Sequence, residues 1–102
     1  MPRVEQAMKK LTFMIHSKKK MGVVVAKVIH GFGSSGAGGS IRVRCREYLA
    51  SMKKRGVIKG FIAGEQFSVF EAETRGALDI CPALRRDSDL DRHNNGITIV
   101  LL

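Results

Sequence analysis

A histidine followed by a glycine-rich stretch is the part of the sequence best suited to chemistry on a phosphate. His30 ends an apolar run, and the residues after it, Gly31–Gly39, include five glycines. An imidazole titrates near neutral pH, so His30 can act as a general acid or base, or donate a hydrogen bond to a phosphate. Nearby cations are expected to lower its pKa and keep it neutral until an anion binds. Its alternative role is a hydrogen bond to a loop carbonyl that orders the turn.

The stretch after His30 has the composition of a phosphate-binding loop. Glycines let several backbone N–H groups point toward one position, and a helix beginning near Ser40 adds the positive end of its dipole. Arg42 and Arg46 lie one turn apart on one side of that helix, where they suit a phosphodiester. Phe32 stacks on an unpaired base if it is exposed, or fills space above the sheet if it points inward. The other candidate contacts are Gly31, Gly33, Ser34, Ser35, Gly38, Gly39, Lys27 and Lys59.

Two nucleotide-binding motifs overlap this loop, and both are incomplete. Gly31–Gly36 matches GxGxxG, but the chain is too short for a doubly wound sheet, and the expected ribose-binding acid would fall in or at the end of the basic helix. Gly33–Ser40 resembles a Walker A motif with glycine in place of the lysine that binds the β- and γ-phosphates. We therefore favour general phosphate binding over binding of a nucleotide cofactor.

Charge is unevenly distributed along the 102 residues. Residues 1–60 contain fourteen Lys or Arg and two acidic residues, whereas residues 61–102 contain four Arg and seven acidic residues. An uneven charge distribution of this kind indicates a polyanionic partner. The basic segments lack the exposed Trp, Phe or Leu face of an interfacial helix, so nucleic acid fits better than a membrane.

Cysteine and acid spacing give little support for a structural metal or a disulfide. Cys45 and Cys81 lie outside CxxC or Cys/His ligand spacing, which favours a reducing, cytoplasmic location. Asp87, Asp89 and Asp91 alternate as in a calcium loop, but the glycine and the closing glutamate of an EF-hand are missing. We expect a solvated loop there and no metal site.

Hydrophobic periodicity predicts one α/β domain over residues 1–102. Helical spacing, β-branched runs and the positions of Gly and Pro predict a helix ending at Gly22, a strand at 23–29, a helix ending before Gly56, a strand at 57–62, a short helix near 69–80 and a strand at 97–102. This order favours parallel crossovers between short strands.

Three motifs along the chain resemble those of the Smr (small MutS-related) domain family. They are His30-Gly31-Phe32-Gly33, Gly38-Gly39-Ser40-Ile41-Arg42 and Gly96-Ile97-Thr98-Ile99-Val100-Leu101, and the opening Val4-Glu5-Gln6-Ala7 resembles the family's first helix. The resemblance implies a two-layer α/β sandwich with a small mixed sheet, like the C-terminal domain of translation initiation factor three. It also implies DNA or RNA binding, with Gly31, Gly33 and Arg42 on the binding face. In some members it implies endonuclease activity with a metal such as Mg²⁺ or Mn²⁺.

The sequence departs from the family pattern in two places. The family usually opens with a strand carrying Leu-Asp-x-His-Gly, whose acid and imidazole are implicated in cleavage, whereas this sequence opens at the helix that follows. We therefore expect a free sheet edge that a second copy can cover. Leu90-Asp91-Arg92-His93 spells LDxH before the last strand, either as a relocated pair or as a coincidence in a charged turn. Residues 63–95 form a lengthened connection that wraps the sheet edge or regulates access.

The sequence thus predicts an Smr-like domain that binds DNA or RNA mainly through phosphate contacts. The alternative is a metal-dependent endonuclease with His30 as its catalytic residue and Mg²⁺ or Mn²⁺ as its cofactor. A third possibility is a protein-interaction adaptor whose charge is incidental.

Overall fold

Three helices and three strands make up the computed structural model, which describes residues 2–31 and 36–102. In chain order they are α1 (Pro2–Lys20), β1 (Val25–Ile29), α2 (Gly36–Lys54), β2 (Gly60–Ala63), α3 (Ala72–Ile80) and β3 (Ile97–Leu101), with 3₁₀ turns at Gly64–Gln66 and Pro82–Arg86. The predicted element order and the α/β class are confirmed. The second helix begins earlier than predicted, because Gly36–Ser40 are helical. The glycine-rich connection is correspondingly shorter.

Glycines end the first two helices, as their sequence positions predict. Gly22 and Gly56 have φ values of +79° and +77°, a backbone region that glycine enters without strain. Each permits a Schellman closure, in which the next residue donates back across the last turn: Val23 N–H to Lys18 O and Val57 N–H to Met52 O. The Lys19 ammonium also donates to the Val57 carbonyl, so the two helices end at the same end of the domain.

The strand order is β1-β3-β2, and both pairs are antiparallel. The predicted mixed sheet is therefore wrong. β1 and β2 run in the same direction on either side of α2, as a crossover requires, but β3 lies between them and runs the other way. Ile97 is opposite Ile29 of β1, and Thr98 is opposite Ala63 of β2, so the start of β3 meets the carboxyl ends of both outer strands.

Two hydrophobic clusters cover opposite faces of β3, so the two-layer sandwich expected from the resemblance is also wrong. One face packs against α1 and α2 through Leu11, Ile15, Cys45, Leu49, Met52, Ile58, Val100 and Leu102. The other face packs against α3 and its flanking turns through Ile62, Phe67, Ala77, Leu78, Leu84, Ile97 and Ile99. The 63–95 connection thus forms a second layer of core, which explains why four consecutive residues of β3 are buried.

β1 lies at one edge of the sheet and is less buried than β3. His30 N–H bonds to Gly96 and Val24 O accepts from Leu102, so even-numbered residues of this strand face β3. The backbone groups of Val25, Lys27 and Ile29 therefore point outward. An apolar groove of about 370 Å³ lies beside this edge, between β1 and α1.

No helix in the described part of the chain combines the length and apolar character needed to cross a bilayer.

Candidate nucleic-acid interface

His30 is built into the turn at the end of β1. Its Nδ1 lies 3.1 Å from the Gly31 carbonyl and its Nε2 lies 2.9 Å from the Thr98 hydroxyl. The backbone N–H groups of His30 and Gly31 both donate to Gly96 O at 3.0 Å, and Gly31 has a φ of +85°. The bond to a loop carbonyl that the sequence left as the alternative role is present here.

Thr98 links His30 to Arg46 in the core. Its side chain is fully buried, and Arg46 Nε donates to its oxygen at 3.2 Å. The hydroxyl proton is then donated to His30 Nε2, while Nδ1–H is directed to the Gly31 carbonyl. These partners are all satisfied by the neutral Nδ1–H tautomer of His30.

The surroundings of His30 favour that neutral form. Burial is the main cause that lowers its pKa, and the charges of Arg46 and Arg42 lower it further, against opposing effects of the Gly31 carbonyl and Glu65. The direction expected from the neighbouring cations is confirmed, although desolvation contributes more than charge.

Arg46 is held by groups within the protein. Its guanidinium forms a bidentate pair with Glu65 at 2.9 and 2.8 Å, and it also donates to the carbonyls of Asn95 and Ile97. The hydrogen bond from Arg46 is the main cause that lowers the pKa of Glu65. The structure thus gives Arg46 a positioning role across the start of β3.

Glu65 is a site residue that sequence reasoning missed. It lies two residues after the end of β2, and β2 ends beside the start of β3, where the carboxyl end of β1 also lies. An acid close after a strand was an available signal, but locating it near His30 required the sheet order. Gly64, its neighbour, was missed for the same reason.

Arg42 and the glycines of the second motif lie in the first two turns of α2. Arg42 is half-buried, one turn before Arg46, and its charge acts on both His30 and Glu65. Gly38 and Gly39 are in the first helical turn, where backbone N–H groups have no partner within the helix. The predicted contacts Phe32, Gly33, Ser34 and Ser35 lie outside the described residues.

The two predicted lysines do not join this group. Lys27 lies on the opposite face of the sheet from Thr98, with its ammonium 2.8 Å from Asp87 and 2.6 Å from Asp89. Burial opposes its charge, but the hydrogen bonds and charges of these two acids outweigh that effect and raise the pKa of Lys27. Lys59 precedes β2 and bonds to Leu101 O through its backbone, at the other end of the sheet.

The LDxH motif and the two cysteines are the remaining candidates for chemistry. Asp91 accepts a hydrogen bond from Val69 N–H, and the His93 ring lies against the Glu65 carbonyl, so the LDxH residues serve separate turns. Both cysteines are free thiols, and burial raises the pKa of Cys45 to about 11. Across residues 2–31 and 36–102, no three His, Cys, Asp or Glu side chains form a metal-binding group.

The basic segments were expected to lack the exposed Trp, Phe or Leu face of an interfacial helix, but α1 exposes one such side chain. Phe13 is 75% exposed on a helix that carries five lysines.

No family model matches the chain, and comparisons with curated proteins and with solved structures gave no match.

Proposed function

We propose that the protein is a nucleic-acid-binding domain of the Smr type that contacts phosphates at the carboxyl end of β1. The observation that supports this most is the meeting of two motifs distant in sequence. Gly31 and Gly96 approach so closely that a Cβ on Gly96 would lie 3.2 Å from the Gly31 carbonyl carbon, and His30 bonds to Thr98. Through these contacts, the glycines and the histidine of the two Smr-like motifs stabilise the same turn.

In this proposal the phosphate contacts come from the start of α2. The N–H groups of Gly38 and Gly39 and the charge of Arg42 face the same end of the sheet as Gly31. Arg46 and His30 act as positioning residues, because their polar atoms hold Glu65, Thr98 and the turn. Phe32, Gly33, Ser34 and Ser35 complete the proposed binding loop.

One observation favours the alternative, an endonuclease: Glu65 places a carboxylate in the network of His30. The described residues do not fit a Mg²⁺ or Mn²⁺ site, however. Glu65 is ion-paired with Arg46, and no cluster of three ligating side chains surrounds it in the described part of the chain. Cleavage of the bound strand is the alternative outcome, which a denaturing gel distinguishes from binding.

The test compares Arg42→Gln with Arg44→Gln. Arg44 belongs to the same helix but is more exposed and pairs with Glu47 at 3.6 Å, so it is a matched control for charge. Fluorescence anisotropy with labelled single-stranded RNA and duplex DNA should show at least a fivefold weaker affinity for Arg42→Gln and less than a twofold change for Arg44→Gln. Equal effects would contradict the proposed site.

A denaturing gel of the same substrates tests cleavage. Lanes with Mg²⁺, Mn²⁺ or EDTA should show intact nucleic acid, as the binding proposal expects. Metal-dependent cleavage that is lost in His30→Ala, with the variant shown to be folded by circular dichroism, would establish the endonuclease alternative.

A further inference from the structure

The outward face of α1 combines an exposed aromatic ring with a high density of positive charge. Phe13 lies at its centre, 75% exposed. Lys9 and Lys10 precede it by one turn, His16 follows by one turn, and Lys20 follows by two turns, which places all four around the ring on the helix surface. We call this set, Lys9, Lys10, Phe13, His16 and Lys20, the α1 outer face.

Packing does not account for Phe13. Leu11 and Ile15, two residues on either side of it, are buried against α2 and the sheet. Phe13 therefore points away from the core, and it belongs to neither hydrophobic cluster of the described residues. The ring therefore lies exposed on a helix surface that also carries lysines.

The positive charge of this face is not neutralised within the described structure. The ion pairs of residues 2–31 and 36–102 use Lys27, Arg44 and Arg46, and none involves α1. The one acid of α1 is Glu5, in the first turn, two turns away from Phe13. The field of the α1 outer face is thus complementary to a polyanion.

We propose that the α1 outer face binds single-stranded nucleic acid, with Phe13 stacking on an unpaired base and the lysines contacting phosphates. Stacking selects the single strand, because the base faces of a duplex are already covered by their neighbours. This inference rests on the proposed function for the class of ligand but not for its location. It adds a contact surface on α1, distinct from Gly31 and the start of α2, and a preference for unpaired bases.

The absence of tryptophan from the chain allows a direct test. Phe13→Trp introduces a single indole whose fluorescence is quenched when a base stacks on it. Phe70→Trp is the matched control, because Phe70 is also exposed, at 84%, but lies next to Glu71 in the acidic segment 61–102. Titration with a twelve-nucleotide oligothymidylate should quench Phe13→Trp saturably and leave Phe70→Trp unchanged. The same sequence in a duplex should not quench either variant.

Anisotropy with the labelled oligothymidylate supplies the second readout. Phe13→Ala should weaken binding by roughly five- to 100-fold, whereas Phe13→Tyr should retain it, since a phenol also stacks.

Binding without quenching in Phe13→Trp, or equal quenching in both tryptophan variants, would overturn this inference and leave the proposed function intact. No binding by the wild type at low salt would overturn both. A fluorescence blue shift with vesicles rich in phosphatidylserine, and no quenching by the oligonucleotide, would assign the face to a membrane surface instead.

Discussion

The two ends of the layer formed by α1 and α2 use their cations differently. At the end where α2 begins, Arg46 is enclosed by Glu65, Thr98 and two carbonyls, so its charge organises the fold. At the end where both helices finish, the cations are Lys18–Lys20 and Lys53–Arg55. The helix dipole favours positive charge at a helix C-terminus. No ion pair within the described residues involves these side chains. A count of basic residues cannot distinguish these two cases. In the proposed function, the first end would bind a phosphate at a defined position, while the second would contribute a general positive field.

The largest loss of stability is expected at Gly64, where backbone atoms near the start of β3 lie very close together. A Cβ on Gly64 would lie 1.8 Å from Asn94 O and 2.7 Å from Ile97 O, and neither backbone atom can move freely. Gly64→Ala should lower the free energy of unfolding by about 4 kcal/mol or prevent folding. Gly76→Ala is the control, because nothing lies within 4 Å of its Cβ on α3, and it should be neutral or stabilising by up to about 1 kcal/mol. Urea denaturation measures both, and equal stabilities would contradict the packing described here.

The buried hydroxyl of Thr98 should contribute less to the free energy of unfolding than the packing at Gly64, but its contribution should be measurable. Thr98→Val keeps the shape of the side chain while removing the partner of His30 Nε2 and Arg46 Nε. Leaving these groups unsatisfied should cost about 1–3 kcal/mol. Thr12→Val removes a half-buried hydroxyl between Met8 O and Tyr48 and should cost about 1 kcal/mol or less. The same denaturation assay checks the order, and a larger loss for Thr12→Val would reverse the comparison.

The neutral state of His30 predicts a pH dependence of stability. Its pKa is lowered in the folded protein, so near pH 6.5 and just below it the unfolded chain binds more protons than the folded one. The contribution of His30 to the free energy of unfolding should therefore be fully present above pH 6.5. It should decrease as the pH falls from 6.5 toward the lowered pKa of His30 in the folded protein. His30→Gln should lose this part of the pH dependence, and His16→Gln, on the exposed side of α1, should keep it. Midpoints of urea unfolding at pH 7.5 and 5.5 test this, and identical profiles for wild type and His30→Gln would refute it.

Much of the fold was predictable because the signals are local. Helical periodicity, together with Gly22 and Gly56, located the ends of α1 and α2, and the β-branched run located β3. The start of α2 was missed because glycines disfavour helix and mask the first turn. Sheet order depends on how the long 63–95 connection returns, which no local pattern encodes.

The candidate site was predictable only in part, for the same reason. His30, Gly31 and Arg42 lie within one stretch of sequence, and their proximity followed from the strand–loop–helix order. The partners of Arg46 and Lys27 come from Glu65, Asp87 and Asp89, far along the chain. Whether a cation is available to a ligand was therefore settled by tertiary contacts.

The edge of β1 gives a smaller and separate expectation. A lysine in an edge strand usually discourages pairing with another chain, but Lys27 is drawn onto the sheet face by Asp87 and Asp89. Ile29, at 77% exposure, lies at the end of this open edge. We expect weak self-association that sedimentation velocity detects at high protein concentration. Ile29→Glu should abolish it, whereas Ile80→Glu on α3 should not, and concentration-independent monomers in the wild type would contradict it.

The salt dependence of binding tests the central claim, that this domain binds nucleic acid mainly through phosphates, most directly. Affinity for duplex DNA is measured by anisotropy at several KCl concentrations. Neutralisation of about five phosphates predicts a slope of log K against log salt near −4 to −5, with little change between DNA sequences. A slope near zero, or no binding at the lowest salt, would contradict this account.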